Sequence, residues 1–117
     1  MLDFSTCLWF DSNGEEAVDF YVSIFKNAKK HNISHYTKTQ ESQTGKKAGD
    51  VMVVEFEIGG RKFLALNGGP IFKVSPAISF SYPCESEEEI NLLWSKLSEG
   101  GKEMMPLGAY PFSKRYG

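Results

Sequence analysis

The chain has 117 residues, enough for one compact domain and too few for two. Its 41% hydrophobic and 24% charged content is ordinary for a globular protein, and a formal net charge of −2 argues against the basic face that a nucleic-acid binder carries. No stretch approaches the ~20 apolar residues of a membrane span, Met1 to Phe10 lacks a basic leader, and Cys7 and Cys84 have neither zinc nor redox spacing, so a reduced, cytoplasmic setting is expected.

The first apolar segment, Phe4 to Phe10, reads as a strand, and Cys7 within it reads as a buried thiol. A helix then opens near Asn13, with Glu16 three residues on, and runs to Lys26. Ala17, Phe20, Tyr21 and Ile24 form its expected apolar face, and Asn27 its stop. Asn32 to Lys38 reads as the next strand. The polar run from Thr39 to Asp50 reads as a mobile loop. Val51 to Ile58 and Lys62 to Asn67 flank Gly59-Gly60, and a Gly-Gly pair between apolar runs signals a type I′ hairpin, since both central residues need positive φ. Ala77 to Tyr82 is expected to be a further strand. A second helix opens near Ser86, with Glu89 completing a capping box. Ile90, Leu93, Trp94 and Leu97 share one face, and Gly100-Gly101 ends it. Lys102 to Met105 is a short segment beyond.

The two helices are related by one offset. Adding 73 carries Asn13 to Ser86, Glu16 to Glu89, the face Ala17-Phe20-Tyr21-Ile24 to Ile90-Leu93-Trp94-Leu97, and Asn27 to Gly100. The coincidence of cap, face and stop predicts an internal structural repeat. The first half is β-α-β-β-β. The second begins in the same way, but the first half's hairpin, shifted by 73, would fall beyond residue 117, so the second module is expected to lack two strands.

Several segments carry a family resemblance. They are Leu8-Trp9-Phe10-Asp11-Ser12-Asn13-Gly14-Glu15-Glu16-Ala17 with Phe20-Tyr21, Ala65-Leu66-Asn67-Gly68-Gly69-Pro70 with Phe72, Ala77-Ile78-Ser79-Phe80, and Leu92 to Gly101. Met105-Pro106-Leu107-Gly108 and Tyr110-Pro111-Phe112-Ser113 complete the pattern. The sequence resembles the PhnB-like branch of the vicinal oxygen chelate (glyoxalase/bleomycin resistance/dioxygenase) superfamily. The resemblance implies an α+β fold: paired βαβββ modules forming a cup-shaped, mostly antiparallel sheet with one helix per module. Applied here, it gives a single domain over 1–117, with module one at about 1–72 and an incomplete module two at about 73–117. In this branch the Tyr-Pro-Phe-Ser segment is typically followed by two Trp-bearing strands, which would begin near Gly117.

Enzymes of the superfamily bind a divalent metal through His, Gln or Glu on the first and last strands of each module. The resemblance puts the first-strand positions at Thr6 and Ser79, and the closing strand offers only the amide of Asn67. None of these is a customary ligand of a catalytic transition metal, so no metal and no cofactor is expected. If Thr6 marks the cup, alternation adds Leu8 and Phe10, and Ser79 and Ser81 from module two. The candidate ligand-binding residues are therefore Thr6, Leu8, Phe10, Asn67, Ser79 and Ser81, with Trp9 packed under the first helix. His31 and His35, on one face of a strand, read as exposed polar residues. Glu55 and Glu57 read as a solvated face.

Three functions fit. The first is metal-independent binding of a small, partly aromatic molecule in a dimeric cup. The second is a metal-dependent lyase, dioxygenase or transferase, and the third is a ligand-free dimeric scaffold. Whether the chain is an enzyme stays open. The expected partners are a second copy of the chain and an unknown small molecule, with no nucleic acid and no membrane. Relatives in the branch are often labelled 3-demethylubiquinone methyltransferase, yet no Gly-rich nucleotide loop for S-adenosylmethionine follows any predicted strand.

Overall fold

The computed structural model describes residues 3–117, and contacts divide the chain into two compact units, one ending at Ala77 and the other running from Ile78 to Gly117. The fold is mixed α+β with a mainly antiparallel sheet. In the first unit β1 (Thr6–Phe10), α1 (Gly14–Ile24), β2 (Ala28–His35), a 3₁₀ turn (Lys38–Gln40), α2 (Glu41–Thr44), β3 (Val51–Ile58) and β4 (Arg61–Asn67) follow in order. The strands lie in the order β1-β4-β3-β2; β1 runs parallel to β4, and the other pairs are antiparallel. The β3–β4 turn is the expected two-residue hairpin, with Gly59 at φ 56° and Gly60 at φ 83°.

The core lies between α1 and one face of this sheet. Val18, Val54, Phe56, Phe63 and Ala65 are buried, and Leu8, Phe10, Tyr21, Val22 and Ile33 pack against them. Tyr21, Phe56 and Phe63 form a stacked series, with centroids 6.2 Å and 5.1 Å apart. Burial pushes the Tyr21 hydroxyl above its ordinary pKa. Fully burying a side chain such as Val18 or Phe56 is worth roughly 1.5–3 kcal/mol before ordering entropy.

This core corrects the expected face of α1. Val18, Tyr21 and Val22 point inward, following Gly14 at i+4, i+7 and i+8, whereas Phe20 is 37% exposed. Both stripes are valid helical faces. Gly14 decides between them, because a Cβ there would lie 2.7 Å from Asn67 Oδ1, so only a glycine lets the helix start this close to β4. Asn27 takes the left-handed conformation, φ 57°, that lets the chain turn directly into β2. β2 therefore starts four residues earlier than the expected Asn32.

The run from Thr39 to Asp50 is not a featureless loop. Thr37 and Gln40 form a capping box on the 3₁₀ turn. Tyr36 N–H donates to Asp50 O at 2.8 Å and Gly49 N–H to Tyr36 O at 3.0 Å, closing the base of the loop. Glu41 Oε1 accepts from Ala48 N–H, and Asp50 Oδ2 from Lys47 N–H, both at 3.0 Å. Side-chain acceptors thus satisfy a backbone that has no ladder to join.

In the second unit α3 (Glu87–Ser98) opens at Ser86, whose hydroxyl accepts from Glu89 N–H at 3.1 Å. The Glu89 carboxylate reaches back to Glu85 N–H at 2.8 Å, one residue earlier than a standard capping box. A hairpin follows, β5 (Gly108–Tyr110) and β6 (Ser113–Tyr116). Arg115 ties it to α3 through two bonds to Asn91 Oδ1, at 2.9 and 2.6 Å. Tyr110, Phe112 and Tyr116 cluster on the hairpin.

The offset of 73 places the start of the second helix correctly, Gly14 becoming Glu87. It does not carry the buried face: α3 buries Leu93, the counterpart of the exposed Phe20, while Leu97 is exposed. Ala77 to Tyr82 is not a strand; it opens on a turn at Ala77 and a bend at Ile78 and is exposed. Lys102 to Met105 forms no strand either. Alternating apolar residues make a strand only where they join a sheet, and neither segment belongs to the two described sheets.

Candidate functional site

Register assigns the side chains of the four-stranded sheet to its two faces. Leu8 and Phe10 of β1, Phe63, Ala65 and Asn67 of β4, and Val54 and Phe56 of β3 lie on the side of α1. Cys7 and Trp9, Leu64 and Leu66, and Val53, Glu55 and Glu57 alternate with these and take the opposite face. Cys7 is exposed and not buried as expected. Trp9, Leu64, Leu66 and Val53 are half-buried. Across the strands, Trp9 is level with Leu66 and Val53, and Cys7 with Leu64 and Glu55. The face is therefore apolar toward the C-terminal end of β1 and charged nearer the Gly59-Gly60 turn, where Glu57 is level with Lys62.

A bulge in β2 completes this face. Lys30 pairs with Phe56 and Ile33 with Val54, so His31 and Asn32 together oppose Glu55. His31 Nε2 lies 2.6 Å from Glu57 Oε1, and Asn32 Nδ2 donates to Glu55 Oε2 at 3.4 Å. The extra residue, and a second irregularity between Ser34 and His35, break the regular alternation that would have put His31 and His35 on one face; both are exposed, as expected. Lys30 turns to the helix side and bonds Asp19 at 2.8 Å and Glu15 at 3.1 Å. These two contacts, Asp19 first, raise its pKa.

Trp9 is the best-fixed group on the open face. Its indole N–H donates to Gly69 O at 2.9 Å. Its ring lies against Gly68, where any Cβ would overlap it. Phe72 meets it edge-on, at 4.8 Å between centroids and 78° between planes. The expected placement under the first helix is reversed, because Leu8 and Phe10 hold that side of β1.

Asn67 closes the other face. It is 4% exposed. Its Oδ1 accepts from Gly14 N–H at 2.8 Å, its Nδ2 donates to Val51 O at 3.1 Å, and its backbone carbonyl accepts from Tyr36 Oη at 2.6 Å. Asn13 makes no side-chain cap, so Asn67, 53 residues beyond Gly14, caps α1 in its place. Among the sequence-derived candidates the structure thus brings Leu8, Phe10 and Asn67 together beneath α1. Thr6 is half-buried, beside a shallow hollow of about 420 Å³ next to the Gly59-Gly60 turn. Ser79 and Ser81 are exposed in the second unit.

A family model described as 3-demethylubiquinone-9 3-methyltransferase matches residues 3–117. The chain belongs to this PhnB-like family. Among solved structures, it is similar to a PhnB protein from Bacillus cereus, itself described as a candidate 3-demethylubiquinone-9 3-methyltransferase. Identity is 36% and the TM-score 0.83, over 97% of this chain and 87% of that one. It also shares its fold with protein PA1353 from Pseudomonas aeruginosa, at 22% identity and a TM-score of 0.75, over 98% of this chain and 86% of that one. No curated protein matches it.

The family description invites a test for S-adenosylmethionine. In a glycine-rich methyl-donor site, backbone N–H groups between a strand and the next helix face the ligand. In this PhnB-like chain that turn is Asp11-Ser12-Asn13-Gly14, and Gly14 N–H is already bonded to buried Asn67. The residues present do not fit that donor. Nor, among the described residues, do three His, Cys, Asp or Glu side chains gather where a cation would sit.

Proposed function

We propose that this PhnB-like protein binds a small, partly aromatic molecule without a bound metal, as a homodimer, on the sheet face opposite α1. One observation carries the reading: on that face Trp9 is locked in place beside half-exposed Leu66 and Val53, an apolar floor with acidic Glu55 and Glu57 at its margin. Pockets for small molecules combine such an apolar lining with a few polar groups. The metal-dependent alternative is not favoured, because Thr6 and Ser79 offer hydroxyls and both amide atoms of Asn67 are engaged.

The dimer rests on two complementary features. β1 lies at the end of its sheet, with one edge unpaired by the strands described. Ile78, Phe80 and Tyr82, alternating with Ser79 and Ser81, are exposed apolar groups outside the two described sheets. An open strand edge and a run of exposed apolar side chains are both covered when a second copy packs along them.

Light scattering at micromolar concentration is expected to report a dimer, and a stable monomer would remove that part of the proposal. Thermal unfolding with a panel of planar hydroxylated aromatics, with and without chelator, tests the rest. At least one compound is expected to raise the melting temperature, equally in both conditions. A rise seen only with added metal would favour the enzyme alternative.

A further inference from the structure

We infer that Phe72 is an internal occupant of the aromatic subsite on Trp9, which a ligand ring must displace. The inference rests on the small-molecule reading above and adds its regulation.

The two rings differ in how they are held. Trp9 belongs to β1, is hydrogen-bonded through its indole N–H, and is backed by Gly68 with no room for a side chain between them. Phe72 is 61% exposed, lies beyond the last strand of its unit, and stands two residues before the 92% exposed Val74. Its ring contact in the described chain is Trp9. The ring is left mostly in water, and its edge-on geometry against an indole is a preferred aromatic arrangement. Gly68 closes one side of the indole, so Phe72 takes up ring surface that a planar ligand would use. Aromatic pairs of this kind are worth about 0.5–1.5 kcal/mol beyond area burial. Such a contact is strong enough to hold the ring in place and weak enough for a ligand to displace it.

The direction of one substitution decides the matter. A wall of the site and an occupant of it respond oppositely to Phe72→Ala. Calorimetric titration of the full chain with 2-naphthol is expected to show F72A binding about two- to twelve-fold more tightly than wild type, the pair energy converted to an equilibrium. W9A is expected to lose binding. Equal or weaker binding by F72A would overturn the inference while leaving the small-molecule reading intact. Absence of binding by wild type, F72A and W9A alike would overturn both. A second measurement needs no ligand. In a W94F background, where Trp9 is the remaining tryptophan, F72A is expected to increase acrylamide quenching. Unchanged quenching would show that Phe72 does not cover the indole in solution, and the inference would fall.

Discussion

Replacing Asn67 by alanine tests the cap that joins β4 to α1. The change strands two backbone groups at once. Gly14 N–H, buried at the first turn of α1, loses its acceptor at 2.8 Å, and the Val51 carbonyl loses its donor at 3.1 Å. An unsatisfied buried group costs about 1–3 kcal/mol, and losing a helix cap costs about 1 kcal/mol by itself. Gly14 N–H is fully enclosed and takes the upper part of that range, while the Val51 carbonyl, at a half-buried strand end, takes the lower part. The sum is roughly 3–5 kcal/mol. At about 4 °C per kcal/mol for a chain of this size, the melting temperature falls by roughly 12–20 °C. Tyr36→Phe is the internal comparison. It removes the 2.6 Å bond to the Asn67 carbonyl but leaves the cap in place, and about 1 kcal/mol is expected. Urea denaturation followed by circular dichroism measures both. An N67A loss below about 0.5 kcal/mol, or one no larger than that of Y36F, would refute the assignment of Asn67 as the cap of α1.

Three further outcomes follow from the geometry. Lys30→Met removes the contacts to Asp19 and Glu15. The folded-state pKa of Lys30 is raised above the ordinary 10.5, so its contribution is fully present below that value and is lost as pH climbs through the folded value. The wild-type minus K30M difference in denaturation midpoint should therefore be positive at neutral pH and shrink toward zero at the alkaline end; a difference independent of pH would contradict the pairing. Gly68→Ala forces a Cβ into the Trp9 ring, so the near-ultraviolet circular dichroism of Trp9 should change and stability should fall by about 1–3 kcal/mol, as in other overpacked sites. An unchanged Trp9 signal would show that the ring is not held there. Elemental analysis of the purified protein should find no stoichiometric zinc, nickel or iron, and stoichiometric metal lost on changing Thr6 or Ser79 would overturn the metal-free reading.

Local chemistry made much of the fold legible. Gly59-Gly60 announced a two-residue hairpin because two successive positive φ angles are cheap only for glycine, and the hairpin is there. Ser86 announced the start of α3, and its hydroxyl makes the expected bond. The segments from Leu8 to Ala17 and from Ala65 to Pro70, with those around Ala77, Leu92 and Tyr110, pointed to the PhnB-like family, which the family model and the B. cereus relative show. The candidate site was less legible. Period-two alternation says that Leu8 and Phe10 share a face and that Cys7 and Trp9 share the other, but not which face meets the helix. An early signal was available in Gly14, since Gly14, Val18, Tyr21 and Val22 form a helical stripe as regular as the one through Ala17 and Phe20.

What the sequence determined by itself were features whose physics closes within a few residues: turns that need glycine, a serine cap, the periodicity of a helix, and the apolar pattern of β3 and β4. The tertiary structure decided the rest, because the rest depends on partners distant in the chain. The α1 cap comes from Asn67, 53 residues away. The side of β1 that Trp9 occupies was set by which neighbours could fill the space under α1, and the glycines that hold its indole are about 60 residues distant. Ala77 to Tyr82 carries a strand's alternation but forms no strand, because alternation prepares a segment for a ladder and only a neighbouring strand can supply the hydrogen bonds.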